Sequence, residues 1–196
     1  GVPAAIASIS DIPQSGVLLL HDIDIGQQLP TIGGVIIRAH LAGTRLIVIS
    51  SRRHRVAEHA DLFLSPRPGT ERYLYAAMAK TILDRGLMNA DFIERHCEGY
   101  PRFLSNIQSF DILLAARRCD VPVPQIEEAA RLFGESARGM LLYSTGAEAR
   151  GRELLSAMVN LVLLTGKLGK PGCGIMPLAE HNNVQGGCDL GMLPGY

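Results

Sequence analysis

Short apolar runs alternate with amphipathic stretches along the whole chain. The runs that predict strands lie near Val17, Ile47, Leu62 and Leu141, and they are continuously apolar, as parallel strands covered on both faces are. Between them, the stretches "TIGGVIIRAHLAG", "GTERYLYAAMAKTILDRG" and "RELLSAMVNLVLLTGKLG" place apolar residues at helical spacing. This alternation predicts an α/β fold: a doubly wound, mainly parallel sheet with helices on both faces.

Composition and charge narrow the class of protein. With 196 residues and 47% hydrophobic positions, the chain can bury a core of its own. Nineteen basic residues balance nineteen acidic ones, which argues against a nucleic-acid partner. The longest apolar stretch, residues 154–165, is too short for direct membrane insertion, and no signal peptide is visible at the start. We expect a cytoplasmic protein, attached to a membrane at most peripherally as part of a complex.

The four cysteines, Cys97, Cys119, Cys173 and Cys188, are widely spaced and include no C-x-x-C pair. This spacing indicates a reducing compartment and argues against a disulfide scaffold or an iron–sulfur cluster within these residues. We expect no metal-binding residue in this chain.

Polar loops follow the predicted strands at the edge where parallel sheets bind ligands. They read "HDID", "SSRR", "SPRPGT" and "STGAEAR". Arg52, Arg53 and Arg67 are placed to meet phosphate groups, and Glu71 to meet a sugar or base edge. Two interpretations are open: a nucleotide site, or ordinary strand-to-helix loops whose arginines are only solvated. Neither G-x-G-x-x-G nor a P-loop is present, so the common dinucleotide and triphosphate motifs are excluded.

The last twenty residues, "PLAEHNNVQGGCDLGMLPGY", mount hydrogen-bonding side chains on a backbone rich in glycine and proline. Such a stretch is either a disordered tail or a loop that wraps a ligand. We divide the chain into an α/β domain, residues 1–170, and a truncated Gly-rich loop, residues 171–196. We expect the loop to be poorly packed or to borrow contacts from a neighbouring molecule, because ordering it costs about 1–2 kcal/mol per residue.

Several stretches resemble the molybdopterin oxidoreductase family. The stretch "NLVLLTGKLGKPGCGIMPLAEHNNVQGGCDLGMLPGY" is similar to the family's "LLTGN(I/L)GKPG" and "NPLRGQNNVQGACDMG", and "AEHADLFLSPRPGTE" is similar to its "AEHADLWLQLRPGTD". Within the family, the sequence is most similar to formate dehydrogenase alpha subunits and to the large oxidoreductase subunit of NADH-quinone oxidoreductase. The resemblance implies the central α/β domain, which holds one guanosine arm of a bis-molybdopterin guanine dinucleotide cofactor.

The resemblance also implies which residues face that cofactor. Catalytic residues and iron–sulfur clusters would lie upstream, outside these residues, so we expect this chain alone to be inactive. Its partners would be other domains of the same subunit and other subunits of a redox complex.

Amides suit pterin edges and glycines allow close backbone approach. The cofactor-binding candidates are Arg52, Gly69, Thr70, Glu71, Gly146, Asn182, Asn183, Gln185, Gly186 and Asp189.

Three departures from the family pattern favour a degenerate molybdopterin site. "HDID" replaces the family's "G-x-N-P", and Ser50-Ser51-Arg52 replaces its "DPR". Ala179 replaces the arginine that helps formate dehydrogenases hold the substrate carboxylate. We therefore predict a large subunit of an NADH-quinone oxidoreductase that serves as an electron-transfer scaffold. The isolated chain should bind a guanine nucleotide weakly or not at all. The alternative, favoured by the retained "NNVQG", is a molybdenum or tungsten formate dehydrogenase-like oxidoreductase.

Overall fold

The computed structural model describes residues 6–26, 29–179 and 184–192. Within these ranges five strands form one parallel sheet, in the order β3-β2-β1-β4-β5. The chain therefore winds outward from β1 in both directions, as the doubly wound prediction requires. The strands are β1 (Val17–His21), β2 (Arg45–Ile49), β3 (Leu62–Leu64), β4 (Gly139–Ser144) and β5 (Gly174–Leu178).

Helices cover the sheet and lie where the periodic stretches predicted them. Asn89 caps the helix that follows it, because its side-chain oxygen accepts a hydrogen bond from the Phe92 N–H at 2.9 Å. Thr70 does not cap α2; its hydroxyl donates to the Arg67 carbonyl instead. The helices are α1 (Pro30–Leu41), α2 (Glu71–Asp84), α3 (Ala90–His96), α4 (Tyr100–Gln108), α5 (Ile112–Cys119), α6 (Val123–Glu135), α7 (Arg152–Leu164) and α8 (Val184–Asp189).

The two faces of the sheet bury separate hydrophobic cores. Leu19 of β1 packs on the side of α2, α6 and α7, together with Phe133. Leu18 points to the opposite side and packs with Ile36 of α1 and Met176 of β5. Successive side chains of a strand point to opposite faces, so a run with both faces covered has to be apolar at every position. This explains why the strand runs are continuous, and it confirms the predicted fold class.

The strand β5 lies inside the segment that the sequence predicted as a poorly packed loop. It pairs with β4 from Met140↔Gly174 to Ser144↔Leu178, and Met176 and Leu178 are buried. The prediction of poor packing is therefore wrong for Gly174–Leu178. Pro177 is tolerated because β5 is the last strand of the described sheet. The division of the chain at residue 170 stays a prediction, but the second part contains a sheet strand as well as loop.

A tight turn delivers the chain into β5. Gly172 has φ +73, and a Cβ added there would lie 2.6 Å from the Gln14 carbonyl oxygen. The Ser15 hydroxyl donates to the Gly172 carbonyl at 2.9 Å, and the Thr44 hydroxyl donates to the Ser15 carbonyl at 2.9 Å. The turn before β5 is thus fixed against the segment that precedes β1.

Across the described residues, none of the helices has the length and apolarity needed to cross a membrane.

Candidate functional site

A polar cavity of about 600 Å³ opens at the carboxyl edge of the sheet. It lies where the loops after β1 and β2 meet the end of β4, at the point where the strand order reverses between β1 and β4. Open α/β sheets bind ligands at this position, because two neighbouring loops turn away from each other there. The lining residues are Asp22, Asp24, Ser50, Arg52, Arg53, His54, Arg55 and Ser144.

Hydrogen bonds tie the ends of β1 and β2 together below the cavity. Asp22 adopts a left-handed conformation, with φ 47, and its N–H donates to the Ile49 carbonyl at 2.8 Å. The Ser50 hydroxyl donates to Asp22 Oδ1 at 3.2 Å and accepts from the Arg52 N–H at 3.3 Å. Asp is among the residues that tolerate the left-handed region, so the turn keeps its shape without glycine. These bonds fix the position of Asp22 relative to the start of the loop after β2, which carries the arginines.

The loop after β2 supplies most of the cationic lining. Arg52, Arg53 and Arg55 are exposed residues, and the Arg53 guanidinium lies 5.6 Å from the centre of the Phe63 ring. A guanidinium over an aromatic face is attracted to it, which restrains a long and otherwise mobile side chain. The cavity lining therefore combines planar hydrogen-bond donors with the carboxylates of Asp22 and Asp24.

His54 contributes an imidazole whose two nitrogens are buried. Neither Nδ1 nor Nε2 has a hydrogen-bond partner among the residues that the structure describes. Burial lowers the pKa of His54 below its ordinary value of 6.5, the charges of Asp24 and Asp22 oppose this, and the charge of Arg52 adds to it. The neutral form is therefore favoured as long as no further negative charge enters the cavity.

A buried polar cluster lies at the end of β1, beside the cavity. A hydrogen bond of 3.1 Å joins the Tyr75 hydroxyl to Nδ1 of His21, and both side chains are fully buried. Burial raises the pKa of Tyr75 well above its ordinary value, and the carboxylates of Glu71 and Asp22 raise it further. Tyr75 therefore remains a neutral phenol that links α2 to the first strand.

The structure places the predicted site residues unevenly. Arg52 lines the cavity, and the Gly146 N–H donates to the hydroxyl of Ser144, another lining residue, at 3.2 Å. Glu71, expected to meet a sugar or base edge, is only 3% exposed and is not part of the lining. Gly69 and Thr70 precede it at the start of α2.

The remaining predicted contacts lie in the C-terminal segment. Gly186 and Asp189 belong to α8. Asn182 and Asn183 lie outside the described residues, as does the side chain of Gln185, so these assignments stay predictions. The lining residues Asp22 and Asp24 belong to the "HDID" loop that the sequence marked. The sequence did not single out His54, although it directly follows "SSRR" in the marked loop.

Residues 4–194 match the family model of the molybdopterin oxidoreductases. The chain belongs to this family. The resemblance seen in the sequence is thereby confirmed at the level of the family, and the molybdopterin oxidoreductase domain accounts for nearly the full length of the chain. Among the described residues, no group of three or more His, Cys, Asp or Glu side chains is arranged to hold a metal ion directly.

Related proteins align with almost all of this chain at about one-third sequence identity. The chain is 34% identical, over 99% of its length, to the F420-dependent formate dehydrogenase subunit alpha of Methanocaldococcus jannaschii, and it spans 29% of that protein. It is 33% identical, over 96% of its length, to the assimilatory nitrate reductase catalytic subunit of Bacillus subtilis, spanning 27% of it. This chain thus spans under a third of the length of either relative.

A solved structure supports the fold independently. Acetylene hydratase from Pelobacter acetylenicus superposes with a TM-score of 0.76 at 24% identity, covering 88% of this chain and 24% of that protein. At this identity the similarity establishes the α/β architecture. The fold therefore recurs in another protein of known structure.

Proposed function

We propose that this chain is the domain of a formate dehydrogenase-type oxidoreductase that holds a guanosine diphosphate arm of molybdopterin guanine dinucleotide. The observation that carries the proposal is the cavity of about 600 Å³ at the switch point of the sheet, with three arginines in its lining. Its volume falls within the range of roughly 300–1,000 Å³ found for ligand pockets.

The chemistry of the lining fits a nucleotide diphosphate. The guanidinium groups of Arg52, Arg53 and Arg55 donate in a planar fork that matches phosphate oxygens. Asp22 and Asp24 add carboxylate acceptors, which suit the N–H groups of a base or the hydroxyls of a ribose. When bound, the cofactor supplies the molybdenum or tungsten centre that exchanges electrons with substrate. The residues of this chain bind and orient its nucleotide end.

The similarity to formate dehydrogenases and to a nitrate reductase favours a molybdopterin-dependent enzyme over the scaffold subunit of an NADH-quinone oxidoreductase. Formate dehydrogenase alpha subunits and a nitrate reductase catalytic subunit each align with almost all of the chain. The replacement of the family arginine by Ala179 counts against formate itself being held at that position. In this function the chain binds the cofactor of a redox reaction, and other domains and partner subunits complete the enzyme.

Analysis of the full-length protein that contains this chain tests the proposal. We expect about one molybdenum or tungsten atom per subunit, together with guanosine monophosphate released by acid hydrolysis of the cofactor. A full-length protein that lacks both metals and releases no guanosine monophosphate would restore the interpretation as a cofactor-free scaffold of an NADH-quinone oxidoreductase.

A pair of arginine variants tests the assigned cavity. Arg52→Met should lower metal content and released guanosine monophosphate in parallel, because it removes a donor from the lining. Arg102→Met serves as the control, since Arg102 is an exposed residue of α4 outside the lining. Equal cofactor content in the two variants would argue that the nucleotide binds elsewhere.

A further inference from the structure

An aromatic ring holds one of the three cavity arginines in place. The Arg53 guanidinium lies over the Phe63 ring, 5.6 Å from its centre, while Arg53 as a whole is exposed and lines the cavity. A guanidinium within about 6 Å of a ring centre is attracted to the face of the ring. Arg53 is therefore restrained before any ligand arrives, and it remains accessible to one.

The sheet fixes the position of Phe63. It is the middle residue of β3, it pairs with Val48 of β2, and its half-buried side chain packs against the hydrophobic core on the α1 side of the sheet. Arg53 lies in the loop that leaves the end of β2, and β3 is the neighbour of β2 in the sheet. The loop therefore sets Arg53 against a ring whose place the strand pairing determines.

The other two cavity arginines lack this support. Among the residues that the structure describes, the guanidinium groups of Arg52 and Arg55 make no ion pair, hydrogen bond or aromatic contact. A mobile arginine side chain loses conformational freedom when a ligand orders it, and this loss weakens binding. Arg53 has already given up part of that freedom in the free protein, so ordering it on a ligand costs less.

The ring contact leaves the hydrogen-bonding groups of Arg53 available. Phe63 carries no nitrogen or oxygen in its side chain, so its ring restrains the guanidinium without taking up an N–H group. The five N–H donors of a guanidinium form a planar fork that matches phosphate oxygens. Phe63 is not part of the cavity lining. A ligand in the cavity therefore meets Arg53, and Phe63 lies behind it.

We propose that Arg53 is a pre-positioned ligand for the cofactor's diphosphate, and that Phe63 is the positioning residue that holds it. This inference rests on the proposed function, because it requires a diphosphate in the cavity. Phe63 contributes to binding through Arg53 alone. An attraction of this kind at an exposed site corresponds to a gain of about two- to fivefold in affinity.

A double-mutant cycle on the full-length protein, prepared free of cofactor, tests the inference. The probe is GDP-mannose, because it carries a guanosine diphosphate whose two phosphates are both esterified, and calorimetry gives its dissociation constant. The variants are Phe63→Leu, which removes the ring but keeps an apolar side chain, Arg53→Met, and the two combined. Phe63→Trp is the conservative variant, since it keeps an aromatic face. Phe92→Leu is the matched control, because Phe92 is a half-buried phenylalanine of α3 outside the lining.

Phe63→Leu should weaken GDP-mannose binding about two- to fivefold, whereas Phe63→Trp and Phe92→Leu should bind like the wild type. Arg53→Met should weaken binding about tenfold or more, because a hydrogen bond to a charged group is lost. In the Arg53→Met background, Phe63→Leu should have no further effect. A general disturbance of the fold would lower affinity by the same factor in both backgrounds, so the cycle separates positioning from a merely structural role.

The results that overturn the inference differ in what else they affect. If the wild type binds GDP-mannose and Phe63→Leu weakens binding equally with and without Arg53, Phe63 has only a structural role. If Phe63→Leu or Arg53→Met binds as tightly as the wild type, the ring does not position a phosphate ligand. In both cases the cofactor site stands. If the wild type does not bind GDP-mannose at millimolar concentration, the proposed nucleotide site fails, and the roles of Arg53 and Phe63 fail with it.

Discussion

The Tyr75 hydroxyl lies 3.1 Å from Nδ1 of His21 in the interior of the protein, with the two ring centres 5.5 Å apart. Tyr75 belongs to α2, and His21 is the last residue of β1, immediately before the cavity residue Asp22. This buried hydrogen bond therefore connects a core helix to the strand end that leads into the candidate site. The linkage makes the position of the β1 loop depend on packing behind the sheet.

Tyr75→Phe should lower the free energy of unfolding by about 1–3 kcal/mol, because it leaves the buried His21 Nδ1 without the hydroxyl that it contacts. Urea denaturation measures the change. The control is Tyr73→Phe on the same helix, where the hydroxyl accepts from the side chain of Arg72 at the surface. That variant should change stability by less than about 0.5 kcal/mol. Equal losses in both variants would contradict the importance of the buried bond.

Gly172→Ala should destabilise the protein by more than about 2 kcal/mol, because the added methyl group meets the Gln14 backbone at 2.6 Å in addition to the strain of φ +73. Gly169→Ala provides a matched control. Its φ is +72, but nothing lies within 4 Å of the added atom. It should cost only the backbone strain, about 1–2 kcal/mol. Comparable melting temperatures for the two variants would show that the chain around Gln14 yields to the methyl group.

Lys167→Met should stabilise the protein at pH 7 by about 1–3 kcal/mol. Lys167 is 1% exposed, and burial lowers its pKa to about 8, from 10.5 for a free lysine. The unfolded chain binds the proton more tightly, so the charged lysine costs stability at pH 7, and the cost declines as pH rises from about 8 to 10.5. The advantage of the methionine variant should shrink over the same window.

Lys170→Met is the control for that measurement, because Lys170 is an exposed residue three positions further along the chain. We expect a change below about 0.5 kcal/mol and no trend with pH. The unfavourable charge of Lys167 is partly offset by its ammonium group lying 5.0 Å from the centre of the Phe133 ring. A Lys167→Met variant less stable than the wild type at pH 7 would mean that this contact outweighs the burial.

Asp61→Asn should destabilise the protein by about 1 kcal/mol at pH 7. Partial burial alone would raise the pKa of Asp61, but hydrogen bonds from the Leu46 N–H at 2.7 Å and from Arg45 at 2.8 Å lower it below 3.8. A lowered carboxyl pKa gives stability that is present above pH 3.8 and is lost as pH falls through the folded value. The difference in stability between the variant and the wild type should therefore shrink as the pH falls below 3.8.

The exposed pair between Lys80 and Asp84 on α2 supplies a control for Asp61. Asp84→Asn should change stability by less than about 0.5 kcal/mol, since ion pairs on a helix surface contribute little. If both aspartate variants lose the same stability at pH 7, the bonds between Asp61 and the start of β2 carry no special weight.

Four strands could be predicted because each is a continuous apolar run, such as residues 17–20. A parallel strand covered on both faces requires that pattern. The fifth strand, Gly174–Leu178, could not be found in this way, because Gly174 and Pro177 interrupt its apolar run. Its strand conformation depends on pairing with β4, a partner distant in the chain. Tertiary pairing decided the structure of this segment, against its local preferences.

The position of the candidate site in the fold could be predicted from the sequence, but only some of its residues could. The rule that parallel strands bind ligands beyond their carboxyl ends located the loops that carry Asp22 and Arg52. Solvent exposure is not visible in a loop sequence, so the sequence alone places Glu71 at the surface although it is buried. The isolation of the His54 nitrogens is likewise a property of the assembled cavity.

The central position of β1 has a consequence for how the protein is made. β1 pairs with β4, for example Leu19 with Leu141. β4 emerges from the ribosome only after the whole helical segment from α2 to α6 has been synthesised. At roughly 5–20 residues per second, one edge of β1 stays unpaired for several seconds. An unpaired apolar strand edge is a template for association between chains. The nascent chain therefore exposes an edge that can associate with other chains during this interval, and pauses in translation before Gly139 would lengthen the exposure.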